Sequence, residues 1–500
     1  MKNIKYIITV ILCLTTILSC EKDFLDRAPL GSLTEGTFPS SEADAIAAVN
    51  GVYHMLRIWQ INGGFPFLDI AADDISKGSR PGDTQVLDLF DSYDAGIPTN
   101  DGLILGWWSS LYEAVRRANF VINEVPNIAM DEDLKSRIIG EARYLRAYYY
   151  SNLVRIWGDV PLKLTTEVSA TALPRTAAAT IWDDVIFPDL EYAIANLPEK
   201  SGYDSVDMGR ATKGAARSLH AKLSLFVGDF ANAEKYALEV INSGEYDLEP
   251  VFGNIWTPES EFGIESIFEV GALNSAAFGD LRNGEPGYQL ATTVGSPGRG
   301  WGFGRPTYNF IQDWSNDDPR KEASILYPGE VKDGYVVGNE ANTPDITYDA
   351  SGTTIIEIET YMEKYWVADI DDNAVWAYNR RIIRYADVLL MAAEALNENG
   401  KSAQALPYLE MVRARARGGN NAVLPEITTT DQTELRNAIY DERKYELAHE
   451  GIRFWDLVRT GRTATVLGPL GFVQGVHEVF PIPDAEIEVS GGVITQNNGY

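Results

Sequence analysis

Cysteine and histidine are scarce in this chain of 500 residues, which has two cysteines and four histidines. Cys13 falls inside an apolar N-terminal segment, and if that segment is removed, Cys20 is the only cysteine left. The mature chain then has no internal disulfide, so its fold must depend on its core. No histidine has a second histidine or cysteine at ligand spacing. We therefore expect no zinc site.

Basic charge is also in deficit, because 42 lysines and arginines face 72 acidic residues and the formal net charge is −30. Such a negative surface repels phosphate backbones, so the composition argues against nucleic-acid binding. Neither a Gly-x-Ser-x-Gly elbow nor a Walker-type phosphate loop occurs. The acidic stretch at residues 369–373 starts like a calcium loop but lacks its glycine and closing glutamate, which favours a solvated loop. We expect no metal and no cofactor.

The N-terminal apolar run is too short to span a membrane. It covers residues 6–18, follows Lys2 and Lys5, and ends at Ser19, whereas a spanning helix needs about 20 apolar residues. This arrangement is typical of a secretory signal. Cys20 directly after a small residue resembles the lipobox of bacterial lipoproteins, in which the cysteine carries the lipid. We predict a signal peptide at 1–19, lipidation at Cys20 and an extended tether at 20–40; an ordinary signal peptide is the alternative.

Helical periodicity dominates most of the remaining chain. Apolar residues recur every three or four positions most clearly over 136–157, which predicts an amphipathic helix. Similar patterns predict helices near 108–125, 178–196, 211–227, 230–243, 380–398, 402–417 and 433–449. Residues 247–378 instead hold much of the Gly, Pro, Asn and Asp, with short β-like runs. We predict an N-terminal helical half at 41–246, a loop-rich ligand-binding subdomain at 247–378 and a C-terminal helical half at 379–500.

Two helical stretches repeat each other. Gly228 and Gly400 are each followed at the same offsets by small, aromatic and branched apolar residues. A helix that ends at glycine, followed by a short turn and a second helix, is typical of tetratricopeptide-type repeats, in which neighbouring pairs bury each other's apolar faces. The predicted fold class is mainly α, a helical-repeat scaffold with a loop-rich irregular subdomain.

Aromatic side chains are abundant, with 11 Trp, 25 Tyr and 18 Phe. Some of them lie between glycines, as in the Gly-Trp-Gly-Phe-Gly stretch at residues 300–304. Rings in such segments lack the neighbours of a regular element, and they are candidates for an exposed platform that covers the flat apolar face of a ligand such as a pyranose. The alternative is that the rings fill the joint between loops and helices.

A series of motifs resembles the SusD/RagB family of lipoproteins and occurs in the family's order from Cys20 to the C-terminus. The matching segments are residues 20–26 (Cys-x-x-x-Phe-Leu-Asp), 108–119, 141–150, 157–162, 318–320, 384–395, 442–446, 451–457, 481–483 and 496–500. The resemblance implies a right-handed scaffold of four repeat-like helix pairs beside a loop-rich half that carries the ligand site. The motif residues themselves are interpreted as scaffold residues.

The resemblance further implies a lipid-anchored protein at the cell surface, on the outer membrane, that binds oligosaccharide or polysaccharide. Such proteins cover a SusC-like TonB-dependent transporter and deliver glycans to it. No family ligand contact can be transferred by position, so the glycan-binding residues that we predict come from the ring argument and one nearby acid: Trp301, Phe303, Trp59, Trp107, Tyr308 and Asp73. We expect no catalytic residues. A secreted all-helical glycoside hydrolase and a scaffold that binds only proteins are the alternatives, because sequence spacing does not reveal a carboxylate pair. Which glycan is bound is left open.

Overall fold

The computed structural model describes residues 38–62, 66–79, 82–93, 97–166, 171–272, 302–338, 345–348, 351–366 and 379–500. Cys20, Trp301 and the acidic loop at 369–373 lie outside the described residues. The described α-helices are Glu42–His54, Trp59–Asn62, Gln85–Ser92, Gly102–Glu124, Glu132–Trp157, Ala178–Ile181, Phe187–Asn196, Lys213–Val227, Phe230–Ser243, Tyr308–Asp313, Pro319–Glu322, Tyr385–Glu398, Ser402–Arg417, Gln432–Glu446, Arg453–Arg459, Thr463–Val466 and Asp484–Val489.

The described strands are short and form antiparallel pairs. They are Ile75–Gly78 with Phe303–Pro306, Val160–Pro161 with Arg175–Thr176, Ser266–Val270 with Arg380–Arg384, Ile325–Leu326 with Tyr361–Met362, Val331–Lys332 with Tyr335–Val336, and Ile346–Tyr348 with Ile355–Ile358. Several of them fall between residues 302 and 362, in agreement with the loop-rich character predicted there.

The helix pairs turn at the two glycines that the repeat pattern marks. Thr212 caps the helix 213–227, which ends at Gly228 with a φ of 79°, and Asp229 caps the next helix. A left-handed glycine stops a helix without a Cβ clash, and a side-chain oxygen starts the next one. The second copy turns at Gly400 in the same way, with a φ of 74°. The two copies pack on each other through the helices 230–243 and 385–398, and the predicted mainly α, repeat-like fold is confirmed.

In two places the structure replaces part of a predicted α-helix by another element. The helix predicted at 380–398 begins only at Tyr385, because Arg380–Arg384 is a strand that pairs with Ser266–Val270. Between Ala178 and Asn196 the helix is interrupted by a π-helical turn, Trp182–Ile186. The first difference arises from pairing with a distant strand, and the second from a local change of helical pitch. The spacing of apolar residues reports neither of them.

A large apolar core lies between the helices and contains the fully buried tryptophans Trp107, Trp108 and Trp157. A smaller cluster of Phe310, Trp314 and Ile325 lies under the loop-rich part. Small satellite cores of this kind are usual beneath long loops. Buried charged groups also join the two parts.

That charge forms a cluster around Glu446, which we call the ion cluster. Glu446 accepts hydrogen bonds from Arg320, Arg384 and Arg415 at 3.1, 3.2 and 2.5 Å. Arg320 also pairs with Asp318 in the loop-rich part. All these side chains are buried or nearly so. Burying so many charges is tolerated only because each is paired and hydrogen-bonded.

Candidate functional site

The strands Ile75–Gly78 and Phe303–Pro306 pair into a two-stranded ribbon, which brings two loops from distant parts of the sequence together. Gly78 lies opposite Phe303 at the end of the ribbon, and the Ser79 amide donates to the Gly302 carbonyl at 2.6 Å. Gly78 has a φ of +61°, and a Cβ there would lie 2.6 Å from the Gly302 oxygen. Only glycine permits this close approach. We call Gly78, Ser79 and Gly302 the ribbon tip.

The base of the ribbon is anchored to the helical scaffold. The Thr307 amide donates to the Asp74 carbonyl at 2.9 Å, and the Thr307 hydroxyl donates to the Asp73 carbonyl at 2.8 Å. The Asp73 carboxylate in turn accepts two hydrogen bonds from Arg453, at 2.6 and 2.9 Å. Burial opposes ionisation of Asp73, but the Arg453 guanidinium outweighs burial and lowers the pKa of Asp73. This carboxylate therefore positions the ribbon.

Charged and hydroxyl groups surround the ribbon tip. Ser79 donates to the Asp83 carboxylate at 2.8 Å, and the Lys77 ammonium bridges the Asp83 carbonyl and the Asp88 carboxylate at 2.9 and 2.6 Å. On the other strand Arg305 lies 3.8 Å from Glu357. Hydrogen-bond donors (a hydroxyl, an ammonium and a guanidinium group) and carboxylate acceptors thus lie close together. Such a mixture suits a ligand with many hydroxyl groups.

A neighbouring carboxyl group, Asp91, is partly neutralised in this environment. Burial raises the pKa of Asp91 to about 7, although the Lys77 backbone N–H donates to it at 3.2 Å. Near neutral pH this group is thus present as both carboxyl and carboxylate. Its state sets the local charge beside Lys77, so the electrostatics of this side of the ribbon depend on pH.

The predicted ring residues do not form one surface. Trp107 is 0% exposed, because it lies inside the helix 102–124 and stacks on Phe90 with a centroid distance of 5.9 Å. Phe303 is only 8% exposed and belongs to the main core. The prediction that these two rings form an open platform is therefore wrong; both support the scaffold. Tyr308 is half-buried directly after the ribbon.

Trp59 is half-buried and packs against the core from the helix 59–62. Asp73 was predicted to accept sugar hydroxyls, but its two oxygens are engaged by Arg453, so this prediction also needs correction. Trp301 precedes Gly302 of the ribbon tip and lies outside the described residues. Its assignment stays a prediction. The structure thus gathers Asp73, Phe303 and Tyr308 around one ribbon and places Trp59 and Trp107 elsewhere in the scaffold.

Sequence reasoning missed Ser79, Asp83 and the pairing of Arg305 with Glu357. Local pattern gave little signal for them, because hydroxyl and acidic residues are common in any loop. The glycine- and proline-containing turn at residues 78–82 was the only cue, and it marks a turn without naming its partner strand.

A second concavity, which we call the groove, has a volume of about 400 Å³ and is lined by Tyr53, Met208 and Phe262 among others. Phe262 has a φ of +52°. A Cβ at Gly209 or at Gly271 would lie 3.0 Å from its ring, so both glycines make room for the ring. None of the ring residues predicted from the sequence lines the groove. Its size is that of a small-molecule site.

The described residues were compared with the requirements of a metal site and of a membrane-spanning helix. Among them, no group of three or more His, Cys, Asp or Glu side chains is arranged to hold a metal ion. None of the described helices combines the length and the hydropathy that crossing a bilayer requires.

Two family models match the sequence. Residues 295–500 match the SusD family, and residues 70–225 match a family described as starch-binding and associating with the outer membrane. The helical-repeat fold and these matches together identify a protein of the SusD class. The chain belongs to the SusD/RagB family.

Relatives match along nearly the whole chain. Two curated SusD-like proteins of Formosa agariphila are 28% and 29% identical, over 100% and 99% of this chain and 100% of each relative. A solved laminarin-binding SusD-like protein is 28% identical, covers 92% of this chain and 100% of its own, and has a TM-score of 0.76. Surface glycan-binding protein A of Bacteroides thetaiotaomicron, solved with laminarihexaose, is 25% identical with the same coverage and a TM-score of 0.73.

Proposed function

We propose that this protein is a cell-surface carbohydrate-binding lipoprotein that captures oligosaccharide or polysaccharide and delivers it to a SusC-like TonB-dependent outer-membrane transporter. The observation that carries the proposal is the ribbon, which joins residues 75–78 to 303–306 and surrounds their tip with paired hydroxyl, carboxylate and cationic groups. Family membership supports it. The ligand would be held without bond cleavage.

The first ligand to test is a neutral β-glucan. One of the similar solved proteins binds laminarin, and another was solved with laminarihexaose. A neutral glycan also avoids repulsion by a protein of net charge −30. In this proposal Trp301 stacks on a sugar ring, a contact worth on the order of 1 kcal/mol or more. Ser79 and Asp83 bind hydroxyl groups beside it.

Calorimetric titration with laminarin oligosaccharides tests the site. Trp301→Ala should weaken binding about tenfold, equivalent to about 1.4 kcal/mol, while the thermal midpoint stays nearly unchanged. Asp83→Ala should also weaken binding. Asp133→Ala, which removes an exposed aspartate of the helical scaffold, should have no effect. Equal affinities of wild type, Trp301→Ala and Asp83→Ala would remove the ribbon tip from the site.

The groove is the competing location, and Phe262→Ala decides between the two. If glycan binding is lost on Phe262→Ala and kept on Trp301→Ala, the ligand lies in the groove. Release of reducing ends from the titrated glycan by the purified protein would instead favour the glycoside hydrolase alternative.

The anchor and the partner need separate tests. Cys20→Ala should abolish incorporation of labelled palmitate and release the protein from the outer-membrane fraction. Co-purification of a TonB-dependent transporter with the tagged wild-type protein from its native membrane supports the delivery role. Glycan binding without co-purification, even after cross-linking, would contradict that role and leave the binding proposal standing.

A further inference from the structure

A cavity of about 60 Å³ lies in the helical scaffold and shares no lining residue with the groove or the ribbon tip. We call it the interhelical cavity. Its walls come from the helices Glu132–Trp157, Lys213–Val227 and Arg453–Arg459 and from the strand Arg380–Arg384. A buried water needs about 10–15 Å³ of such volume. The cavity therefore has room for one small ion together with a water molecule or two.

Positive charge predominates on the wall. Five cationic side chains line the cavity, against two carboxylates, Glu450 and Asp456. Both carboxylates are already engaged. Asp456 accepts from Arg443 and Arg459 at 2.7 and 2.8 Å.

Glu450 is bound by Lys364 at 2.7 Å and by Arg384 at 2.8 Å, and neither cation lines the cavity. The remaining lysine of the wall, Lys222, pairs with Asp387 at 3.1 Å. Asp387 is shared with Arg443. Each of these carboxylates near the cavity thus already pairs with two cationic side chains.

Two arginines of the wall have no carboxylate partner among the described residues. Arg155 donates to the Ser151 carbonyl at 3.1 Å and to the Asn152 amide oxygen at 2.5 Å, and its guanidinium lies 5.1 Å from the Trp455 ring centroid. Arg380 donates to the carbonyls of Ile61 and Asn62, at 3.0 and 2.7 Å.

Arg380 is buried and Arg155 is half-buried. The other buried arginines of the described residues behave differently. Each of them forms an ion pair with a carboxylate: Arg146, Arg320, Arg381, Arg384, Arg417, Arg443 and Arg453. Desolvation lowers the pKa of Arg155 to about 10. In a chain with 72 acidic residues, it is unusual that two guanidinium groups with no carboxylate partner among the described residues line the same cavity.

We propose that the interhelical cavity binds a small inorganic anion, with chloride as the representative, between Arg155 and Arg380. Withdrawing a guanidinium group from water without a neighbouring carboxylate is unfavourable, and an anion between two such groups reduces that penalty. The cavity volume favours a monatomic anion over a bulky oxyanion. The site lies in the helical scaffold and does not depend on the proposed glycan function.

Crystals of the full chain grown in sodium bromide locate the anion by its anomalous signal. The expected result is one bromide peak between Arg155 and Arg380, absent from Arg155→Gln crystals. Equilibrium dialysis with radiolabelled chloride should give one site per chain, weakened at least tenfold by Arg155→Gln. The matched control is Arg462→Gln, since Arg462 also lies over an aromatic ring, Tyr440, at 4.2 Å, and lines no part of the cavity. It should bind chloride like wild type.

Bromide at the surface only, or an empty or water-filled cavity in the wild type, would overturn the proposal. So would equal chloride affinity in the Arg155→Gln and Arg462→Gln proteins. Should Arg155→Gln fail to fold, the wild-type bromide map still decides, and Arg380→Gln supplies the second variant. Glycan titration of the same preparations keeps this question separate from that of the ribbon tip.

Discussion

Glu446 offers the sharpest test of how the loop-rich part is joined to the helices. Its side chain is fully buried and accepts hydrogen bonds from Arg320, Arg384 and Arg415. Burial by itself would raise the pKa of this carboxyl, but Arg415, Arg384 and Arg320 outweigh burial and lower the pKa to about 2. The folded protein therefore stabilises the ionised carboxylate of Glu446 relative to the neutral carboxyl.

Glu446→Gln keeps the shape and removes the charge. The difference between an unfolded pKa of 4.5 and a folded pKa of about 2 corresponds to about 3 kcal/mol. Breaking a buried ion pair by loss of one partner costs about 3–5 kcal/mol in general. We therefore expect the free energy of unfolding at pH 7 to fall by about 3 kcal/mol, measured by urea unfolding.

The difference in unfolding free energy between wild type and Glu446→Gln depends on pH in a direction set by the lowered pKa of Glu446. Because the folded pKa lies below the unfolded one, the stabilisation by Glu446 is complete above pH 4.5 and is lost as pH falls from 4.5 towards 2. The gap between wild type and Glu446→Gln should stay constant from pH 8 to 5. It should then shrink by about 1.4 kcal/mol per pH unit below 4.5.

The matched control is Glu434→Gln, the same substitution at an exposed position of the same helix. It should change the unfolding free energy little at any pH. Equal destabilisation by the two substitutions, or a gap for Glu446→Gln that does not shrink by pH 3.5, would refute the argument that paired buried charge joins the two parts.

Three further outcomes are expected. Trp107→Ala should lower the free energy of unfolding by about 3–5 kcal/mol, as for other buried aromatic residues, and leave glycan affinity per folded molecule unchanged in titration. Gly214→Ala should destabilise by about 1–3 kcal/mol in urea unfolding, because its Cβ would lie 2.4 Å from the Tyr246 hydroxyl; Gly51→Ala, with nothing within 4 Å, should instead stabilise its helix by about 1 kcal/mol. Burial, aided by Lys364, holds the pKa of His449 well below 6.5, so the folded state keeps it neutral and loses stability as pH falls below 6.5. His449→Asn, which tolerates the φ of +64°, should flatten urea stability between pH 6.5 and 5, and an unchanged slope would contradict this.

The helical part of the fold was predictable because its signals are local. The helices predicted at 230–243 and 402–417 match the structure at both ends, since each ends at a glycine of left-handed conformation. The strand at 380–384 was not predictable in this way. Its partner, Ser266–Val270, is more than a hundred residues away, and only that pairing makes the segment extended.

The candidate site was predictable only in part. Trp107 was predicted as a glycan-binding ring, but it lies inside the helix 102–124, which Asp101 caps, and its ring is buried in the core. The pairing of Ser76 with Arg305 depends on a contact across the fold that no local pattern encodes. The division of the chain at residues 246/247 and 378/379 stays a prediction.

The anchoring of Thr307 and Asp73 has a consequence for how such a protein could change its ligand. Both contacts from Thr307 end on backbone carbonyls, and Asp73 is held from behind by Arg453. These contacts involve no side chain of Ser79 or Asp83, so substitutions at those two residues leave the base of the ribbon intact. If the ribbon tip binds glycan as proposed, a change of ligand preference needs only new side chains at the tip, and the base of the ribbon stays unchanged.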